Sequence, residues 1–377
     1  MSGVGTLIWS AGCFLLVIGP LIFLHELGHY LVGRWCGVKA DAFSIGFGRE
    51  LLGWTDSAGT RWKVGALPLG GYVKFAGDMN PASQPSAEWL ALPPHERART
   101  FQAKPVWQRF LIVLAGPAVN FLFALVVLAG ILIAYGEPVT PPVVARVIPR
   151  SAAAEAGLRT GDRIVAINGV AVRRFEDIGG YTALRPDTRM HLDLVRAGQP
   201  AALDVVTKAS QTSDRFGNTA RIGVLGIAAG GGRMEPVPLA EVPARAAGYV
   251  GDAVVTTVVA LRQIVVGERS AKEMSGPVGV ARVAGQQATL GWFAVALLMA
   301  GISINLGFIN LLPVPMLDGG HLLFYVVEAV RRKPVAPAVQ EWAFRSGLAL
   351  LLGVMLFVTF NDLGMAGLWA RLAGLIG

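Results

Sequence analysis

The hydrophobic positions of this chain fall into two patterns: long unbroken runs, and shorter stretches where apolar and polar residues alternate. The runs predict four membrane-spanning helices, over about Leu7–Val32, Val106–Tyr135, Leu290–Leu317 and Phe344–Phe360. Trp107 and Tyr135 stand at the two ends of the second run as interfacial anchors. Val242–Val266 is almost as apolar, but Arg245, Asp252 and Arg262 interrupt it. It reads as a helix packed on a soluble domain or lying along the membrane surface. Among the alternating stretches, Trp62–Phe75 places β-formers around Gly70-Gly71 and predicts a hairpin, and Pro81–Pro94 predicts a loose loop. Residues 138–227 predict a small β-rich domain with two helices. Its expected elements are a strand at Val143–Ile148, a short helix at Ala152–Gly157, a tight turn at Asn168-Gly169, a helix at Phe175–Leu184 and a strand at Met190–Val195. In that last strand His191 faces away from Met190, Leu192 and Leu194.

These elements describe a polytopic α-helical membrane protein of four spans, with an inserted β-rich domain and a membrane-associated β-hairpin. The expected division is 1–35 for the first span, 36–105 for a loop and the hairpin, and 106–136 for the second span. It continues with 137–228 for the β-rich domain, 229–289 for a helical segment, 290–325 for the third span and 326–377 for a basic loop, the fourth span and a C-terminal tail. Composition agrees: 53% of residues are hydrophobic and 15% charged, a balance that a single soluble core does not require. The net charge of +8 is scattered over extramembrane segments, which fits basic loops at a lipid bilayer and excludes a nucleic-acid reading. Bases crowd the segment after the first span (Arg34, Lys39, Arg49, Arg61, Lys63) and the loop before the fourth (Arg331, Arg332, Lys333). Positive-inside logic puts both in the cytoplasm and the β-rich domain outside. The first run leads into His25 and not into a cleavage site, so no removable signal peptide is expected, and Cys13 and Cys36 are expected to remain unpaired.

One feature contradicts the lipid setting. His25, Glu26 and His29 lie inside the first apolar run, where an ionisable side chain costs roughly 2.5–3.5 kcal/mol. A metal ion offsets that cost, and His-Glu-x-x-His on a helix is the zinc-protease pattern. One turn apart, His25 and His29 face the same way and can share a tetrahedral metal, while Glu26 reaches a metal-activated water as general base. A third ligand is needed. His95 lies in a polar loop and His191 on a solvated strand face. Asp318 instead follows a third span broken by Pro313 and Pro315, in apolar surroundings where an unpaired carboxylate is costly. Asp318 is therefore the expected ligand, with His321 beside the site or at the interface. Asn305 and Asn310 are open to two readings, as interhelical hydrogen bonders or as groups that hold substrate backbone.

On these residues the chain resembles the site-2 protease family of intramembrane zinc metalloproteases, most of all its bacterial members that act in the sigma-E response. The resemblance rests on His25-Glu26-x-x-His29, on the Asn305–Asp318 stretch with its Pro313-x-Pro315-x-x-Asp318-Gly pattern, and on Ser275-Gly-Pro-Val278. The β-rich domain resembles a PDZ domain through Ala153-x-x-Ala156-Gly-Leu158-x-x-Gly161-Asp-x-Ile164, a single unit where the best-known members carry two. The resemblance implies that His25, His29 and Asp318 bind Zn2+, that Glu26 activates water and that Asn305 helps to hold substrate. It further implies a single-span substrate resembling an anti-sigma factor, cut in a bacterial inner membrane near the cytoplasmic face. The PDZ-like domain would then be periplasmic, where it filters substrate or takes a peptide C-terminus, and the hairpin would lie at the membrane beside the site. Pro313 and Pro315 would keep irregular backbone beside a water-lined cavity, the setting in which lipid tolerates it. The competing classes are a non-catalytic membrane-anchored PDZ scaffold and a metal transporter. Both leave Glu26 without a task.

Overall fold

Helix α1 (Gly3–Trp35) carries the first apolar run and, near its end, the His-Glu-x-x-His motif. The structure is a computed structural model that describes residues 3–77, 92–183, 185–213, 219–267 and 276–365. Most of the loop expected at Pro81–Pro94 lies outside the described residues, as do Leu184 and Ser275. After α1 come two long strands, β1 (Ala40–Thr55) and β2 (Arg61–Phe75), a short helix α2 (Pro94–Arg97), and helix α3 (Val106–Tyr135). Strands β3 (Glu137–Val139) and β4 (Val144–Val147), helix α4 (Ala152–Glu155), strands β5 (Arg163–Ile167) and β6 (Val170–Ala171), and helix α5 (Phe175–Ala183) follow. The β-rich segment continues through β7 (Arg189–Arg196), β8 (Gln199–Val206), β9 (Lys208–Ser213), β10 (Thr219–Val224), β11 (Ile227–Ala229) and β12 (Arg233–Glu235). Five helices complete the chain: α6 (Val242–Val266), α7 (Pro277–Thr289), α8 (Trp292–Leu311), α9 (Asp318–Arg331) and α10 (Pro337–Met365).

The chain divides into two compact units: 1–129 with 243–261 and 271–377, and 130–242 with 262–270. In the second unit the core comes from alternation. Along β7, Met190, Leu192 and Leu194 are buried while Arg189 and His191 are exposed. They pack with Ile164, Ile167, Val205, Leu158 and Ile178 beneath an antiparallel sheet of order β6-β5-β7-β8. Ser151 caps α4 by accepting from the Ala154 N–H at 3.2 Å.

Among the described residues, five helices are long and apolar enough to cross a membrane: α1, α3, α6, α8 and α10. Contacts fix the relative directions of three. The Ile112 carbonyl meets His29 while Asn120, further along α3, meets His25, so α3 runs antiparallel to α1. Ser303 of α8 donates to the Asn120 carbonyl at 2.8 Å, and Gly307 approaches Pro117, so α8 is antiparallel to α3. Both being antiparallel to α3, α8 runs parallel to α1, against which it packs through Val17, Leu21, Val295 and Met299. Helix α7 ties this bundle together. Trp9 donates to its Gly285 carbonyl at 3.2 Å, and buried Asp362 of α10 accepts from its Gly279 N–H at 2.8 Å, supplying the cap that Gly276 lacks.

Two expectations need correction, the place of the hairpin and the length of the basic loop. The hairpin is not built within Trp62–Phe75: that stretch is a single strand, β2, and its partner is β1, paired through Thr55 with Arg61 and Trp54 with Trp62. The turn lies at Asp56–Thr60, where the Asp56 carboxylate accepts from the Ala58 and Thr60 N–H groups at 2.9 Å each. The strands fold back so that Phe43 pairs with both Val73 and Trp62. The third run is broken, as expected from its two prolines. Helix α8 stops at Leu311, and Leu312 is extended, as the residue before Pro313 must be. The basic loop is also shorter than expected, because α9 continues to Arg331 and ends with Arg332 in the left-handed region.

Candidate active site

Helical spacing and one broken helix bring the motif residues together. His25 and His29 project from α1 with Nε2 atoms 3.3 Å apart. Asp318 opens α9, and its Oδ2 lies 3.2 Å from His25 Nε2 and 3.6 Å from His29 Nε2. The two histidines are each 8% exposed, and the Asp318 side chain 19%. Oδ2 of Asp318 is buried and receives no hydrogen bond of acceptable geometry from the described residues. A buried carboxylate oxygen facing two imidazole nitrogens without such a bond has the chemistry of a cation ligand. Among the described residues this is the one cluster of three His, Cys, Asp or Glu side chains close enough to hold a metal.

The backbone around the cluster is built for close approach. Gly116 of α3 lies under both rings, where a Cβ would stand 2.2 Å from His29 Nε2 and 2.9 Å from His25 Cε1. The δ-nitrogens turn to α3: His29 Nδ1 is 2.9 Å from the Ile112 carbonyl, and His25 Nδ1 is 3.0 Å from Asn120 Nδ2. Asp318 owes its place to Pro313, Pro315 and a left-handed Met316 (φ 81°), which turn the chain sharply after α8. Such a backbone costs of order 1–3 kcal/mol and persists where its surroundings hold it. Here Pro315 is pressed against Gly347 of α10.

Glu26 faces a cavity of about 550 Å³ that also contains His25, His29, Asp318, Asn310 and His321. One wall is the strand Gly70–Val73 of β2. The Val73 N–H donates to the Glu26 carboxylate. A Cβ on Gly71 would stand 2.8 Å from Glu26 Cγ, so the strand passes directly over the glutamate.

The remaining expected residues separate. Asn310 Nδ2 is 3.4 Å from His25 Nε2, beside the cluster. Asn305 is exposed and lies outside the cavity, where its Oδ1 accepts from Thr257 of α6 at 2.8 Å. That contact is the interhelical hydrogen bond of its first expected reading. Pro313 and Pro315 also lie outside the cavity lining and shape the turn instead. His321 lines the cavity with its ring 4.8 Å from that of Phe344. His95 and His191 are solvent-facing, the first beside Glu96 and the second bonded to Asp204. Reading the sequence missed Gly116, Val73 and Asn120. Asn120 left a signal: it is the one hydrogen-bonding side chain between Arg109 and Tyr135.

A bundle of apolar helices enclosing His-Glu-x-x-His and an aspartate has the make-up of a metallopeptidase of the membrane. Comparison with known proteins identifies the family. The profile of Peptidase family M50 matches residues 13–354. A protein of Agrobacterium fabrum, named as a putative zinc metalloprotease, is 44% identical over 368 residues, covering 96% of this chain and 98% of its own. One from Rhizobium meliloti, similarly named, is 43% identical over 355 residues, covering 93% and 95%. Metalloprotease MmpA of Caulobacter vibrioides is 38% identical over 385 residues, covering 96% and 97%. The chain belongs to peptidase family M50, the site-2 protease family, and is a zinc metalloprotease of the membrane.

Proposed function

We propose that His25, His29 and Asp318 hold the zinc, that Glu26 is the general base, and that the enzyme cuts a peptide bond within or beside the transmembrane segment of a single-span protein. One observation carries this reading. The three ligand atoms form a triangle with sides of 3.3, 3.2 and 3.6 Å. Ligand atoms at roughly 2.0–2.1 Å from a tetrahedral zinc are about 3.3 Å apart. When bound, zinc supplies Lewis-acid polarisation of a carbonyl and of water. Glu26, held by the Val73 N–H, takes up a proton from water and passes it to the leaving nitrogen. The Asn310 amide beside His25 is a donor for the scissile carbonyl oxygen.

A helical substrate shields its own peptide bonds and must be drawn out before it is cut. The stretch Gly71–Phe75 pairs with Ala40–Ile45 on one side, and no other strand pairs with it among the described residues. Its free edge beside Glu26 suits an extended substrate added as a further strand.

Helix directions favour four spans. Because α1 and α8 are parallel and α3 is antiparallel to both, the chain must leave and rejoin the same side of the membrane between α3 and α8. A single crossing by α6 would reverse α8, and the 13 residues of α7 reach only about 20 Å, too little for the roughly 30 Å core. Helix α6 is the least apolar of the five candidates, at hydropathy 1.5, and it packs beside α3 and α8, with Val250, Ala253 and Val254 against Ala124, Ala300 and Ile304, instead of lying apart at the surface. The arrangement suits a bacterial inner membrane with residues 137–228 as a periplasmic PDZ-like filter, the site near the cytoplasmic face, and an anti-sigma-factor-like substrate.

Glu26→Gln tests the mechanism. Zinc content should stay at the wild-type level, while cleavage of a single-span reporter falls by at least the 10²–10⁴-fold typical of a lost general base. Undiminished cleavage would exclude Glu26 as the base. A comparison of membrane proteins that accumulate in Glu26→Gln cells identifies the substrate.

A further inference from the structure

We propose that Asn120 orients His25 for zinc, its side-chain amide being the partner of the ring nitrogen that faces away from the metal. This rests on the assignment of His25, His29 and Asp318 as the zinc ligands.

Asn120 sits mid-helix in α3, is fully buried, and is the lone polar side chain in a run of apolar residues. An amide at that depth is costly unless it is bonded. Its one side-chain partner among the described residues is His25 Nδ1, 3.0 Å from Nδ2, and its Oδ1 has none. The backbone at this point is pinned separately, by Ser303 Oγ donating to the Asn120 carbonyl. The side chain is thus not needed to hold α3 against α8.

The chemistry of the imidazole sets what this amide must do. His25 Nε2 points at His29, Asp318 and Asn310, and it is the nitrogen whose lone pair is available to a metal. The proton of a neutral ring then lies on Nδ1, which needs an acceptor. For His29 the acceptor is the Ile112 carbonyl, a backbone group that substitution cannot remove. For His25 the group in reach is the Asn120 amide. With Nδ2 toward the ring, the amide donates to Nδ1 and favours the proton on Nε2, which blocks the metal. With the amide turned by half a rotation, Oδ1 accepts from Nδ1–H and frees Nε2. Because Oδ1 has no other partner among the described residues, nothing there holds the amide in the first orientation. Asn120 is therefore a positioning residue whose amide orientation is coupled to metal loading.

The test uses the full-length protein in detergent, with zinc affinity measured by chelator competition and the absorption spectrum of the cobalt(II)-substituted site. Asn120→Leu should weaken zinc binding roughly 10–100-fold, the usual effect of losing such a partner, and shift the cobalt bands. Asn120→Asp keeps an acceptor and should bind close to the wild type. Wild-type affinity with an unchanged cobalt spectrum in Asn120→Leu would overturn the proposal, and so would equal losses in Asn120→Leu and Asn120→Asp. If Asn120→Leu does not fold, nitrogen-15 spectra of histidine-labelled, zinc-loaded wild type decide the matter. The His25 proton must be on Nδ1, and a proton on Nε2 overturns the inference. His25→Ala separates the two levels. Undiminished zinc binding there removes the ligand assignment, whereas loss in His25→Ala with none in Asn120→Leu removes the role of Asn120 alone.

Discussion

Arg109 and Glu328 are 219 residues apart in the chain, and their side chains meet at 2.7 Å. The two are 14% and 18% exposed, and the guanidinium also lies over the Tyr325 ring at 5.0 Å. This contact locks the start of α3 to α9, the helix that begins with Asp318. Removing one member of a poorly solvated pair leaves the other uncompensated. Glu328→Gln should destabilise the protein by about 2–3 kcal/mol, allowing for partial access to water. Thermal unfolding in detergent checks this. The double variant Arg109→Met/Glu328→Met should be less destabilised than the sum of the singles.

Gly116→Ala should abolish stoichiometric zinc binding while the helices persist. Its new methyl group would occupy space held by the His29 and His25 rings, with the first contact at 2.2 Å. Metal analysis together with circular dichroism distinguishes this from unfolding. Zinc at one equivalent in Gly116→Ala would show that the rings can shift without loss of the site.

Gly71→Ala should have the complementary signature. Its Cβ would meet Glu26 Cγ and the Ser44 carbonyl, each at 2.8 Å, and so push strand β2 away from the base. The expected result is normal zinc content with kcat reduced about tenfold or more, in line with the sensitivity of catalysis to small misplacements. Equal losses of zinc and kcat would tie the strand to the metal ligands instead.

Acid should loosen the 130–242 unit through Asp162. Its carboxylate, 1% exposed, accepts from Arg196 Nε at 2.8 Å and Nη2 at 2.7 Å, and from the Arg159 N–H at 2.8 Å. The Arg196 bonds, opposed by burial and helped by the Arg159 amide, hold its pKa below the ordinary value. Since the folded pKa lies below the unfolded one of about 3.9, this stabilisation is complete above that pH and is lost as pH falls through the folded value. Asp162→Asn should cost about 2 kcal/mol at pH 7. Its unfolding temperature should fall less steeply than that of the wild type between pH 5 and pH 2.

The proposed metal ligands could be read from the chain because each is an ionisable residue where lipid forbids one. His25, His29 and Asp318 stand out against apolar neighbours, and the two prolines before Asp318 mark the break that lets it turn inward. The groups that hold those ligands were not legible. Gly116 acts through the absence of a side chain, Val73 through its backbone N–H, and the Ile112 carbonyl through its position on α3. None of these has a composition signal. The hairpin was misplaced because Gly70-Gly71 looks like a turn, whereas the real turn depends on Asp56 bonding its own following backbone. Asn305 and Asn310 have the same chemistry on the same helix, and only the packing of α6 against Asn305 separates them.

The long chain separation between the two halves of the site also sets when the enzyme becomes active during synthesis. His25 and Asn310 are 285 residues apart, and Asp318 follows later still. At about 5–20 residues per second, the histidine helix waits roughly 15–60 s in the membrane before the carboxylate is made. Throughout that interval the nascent polypeptide carries a base and two imidazoles but no complete metal site. The order in which the parts emerge therefore keeps the proposed site incomplete until synthesis of the chain is nearly finished.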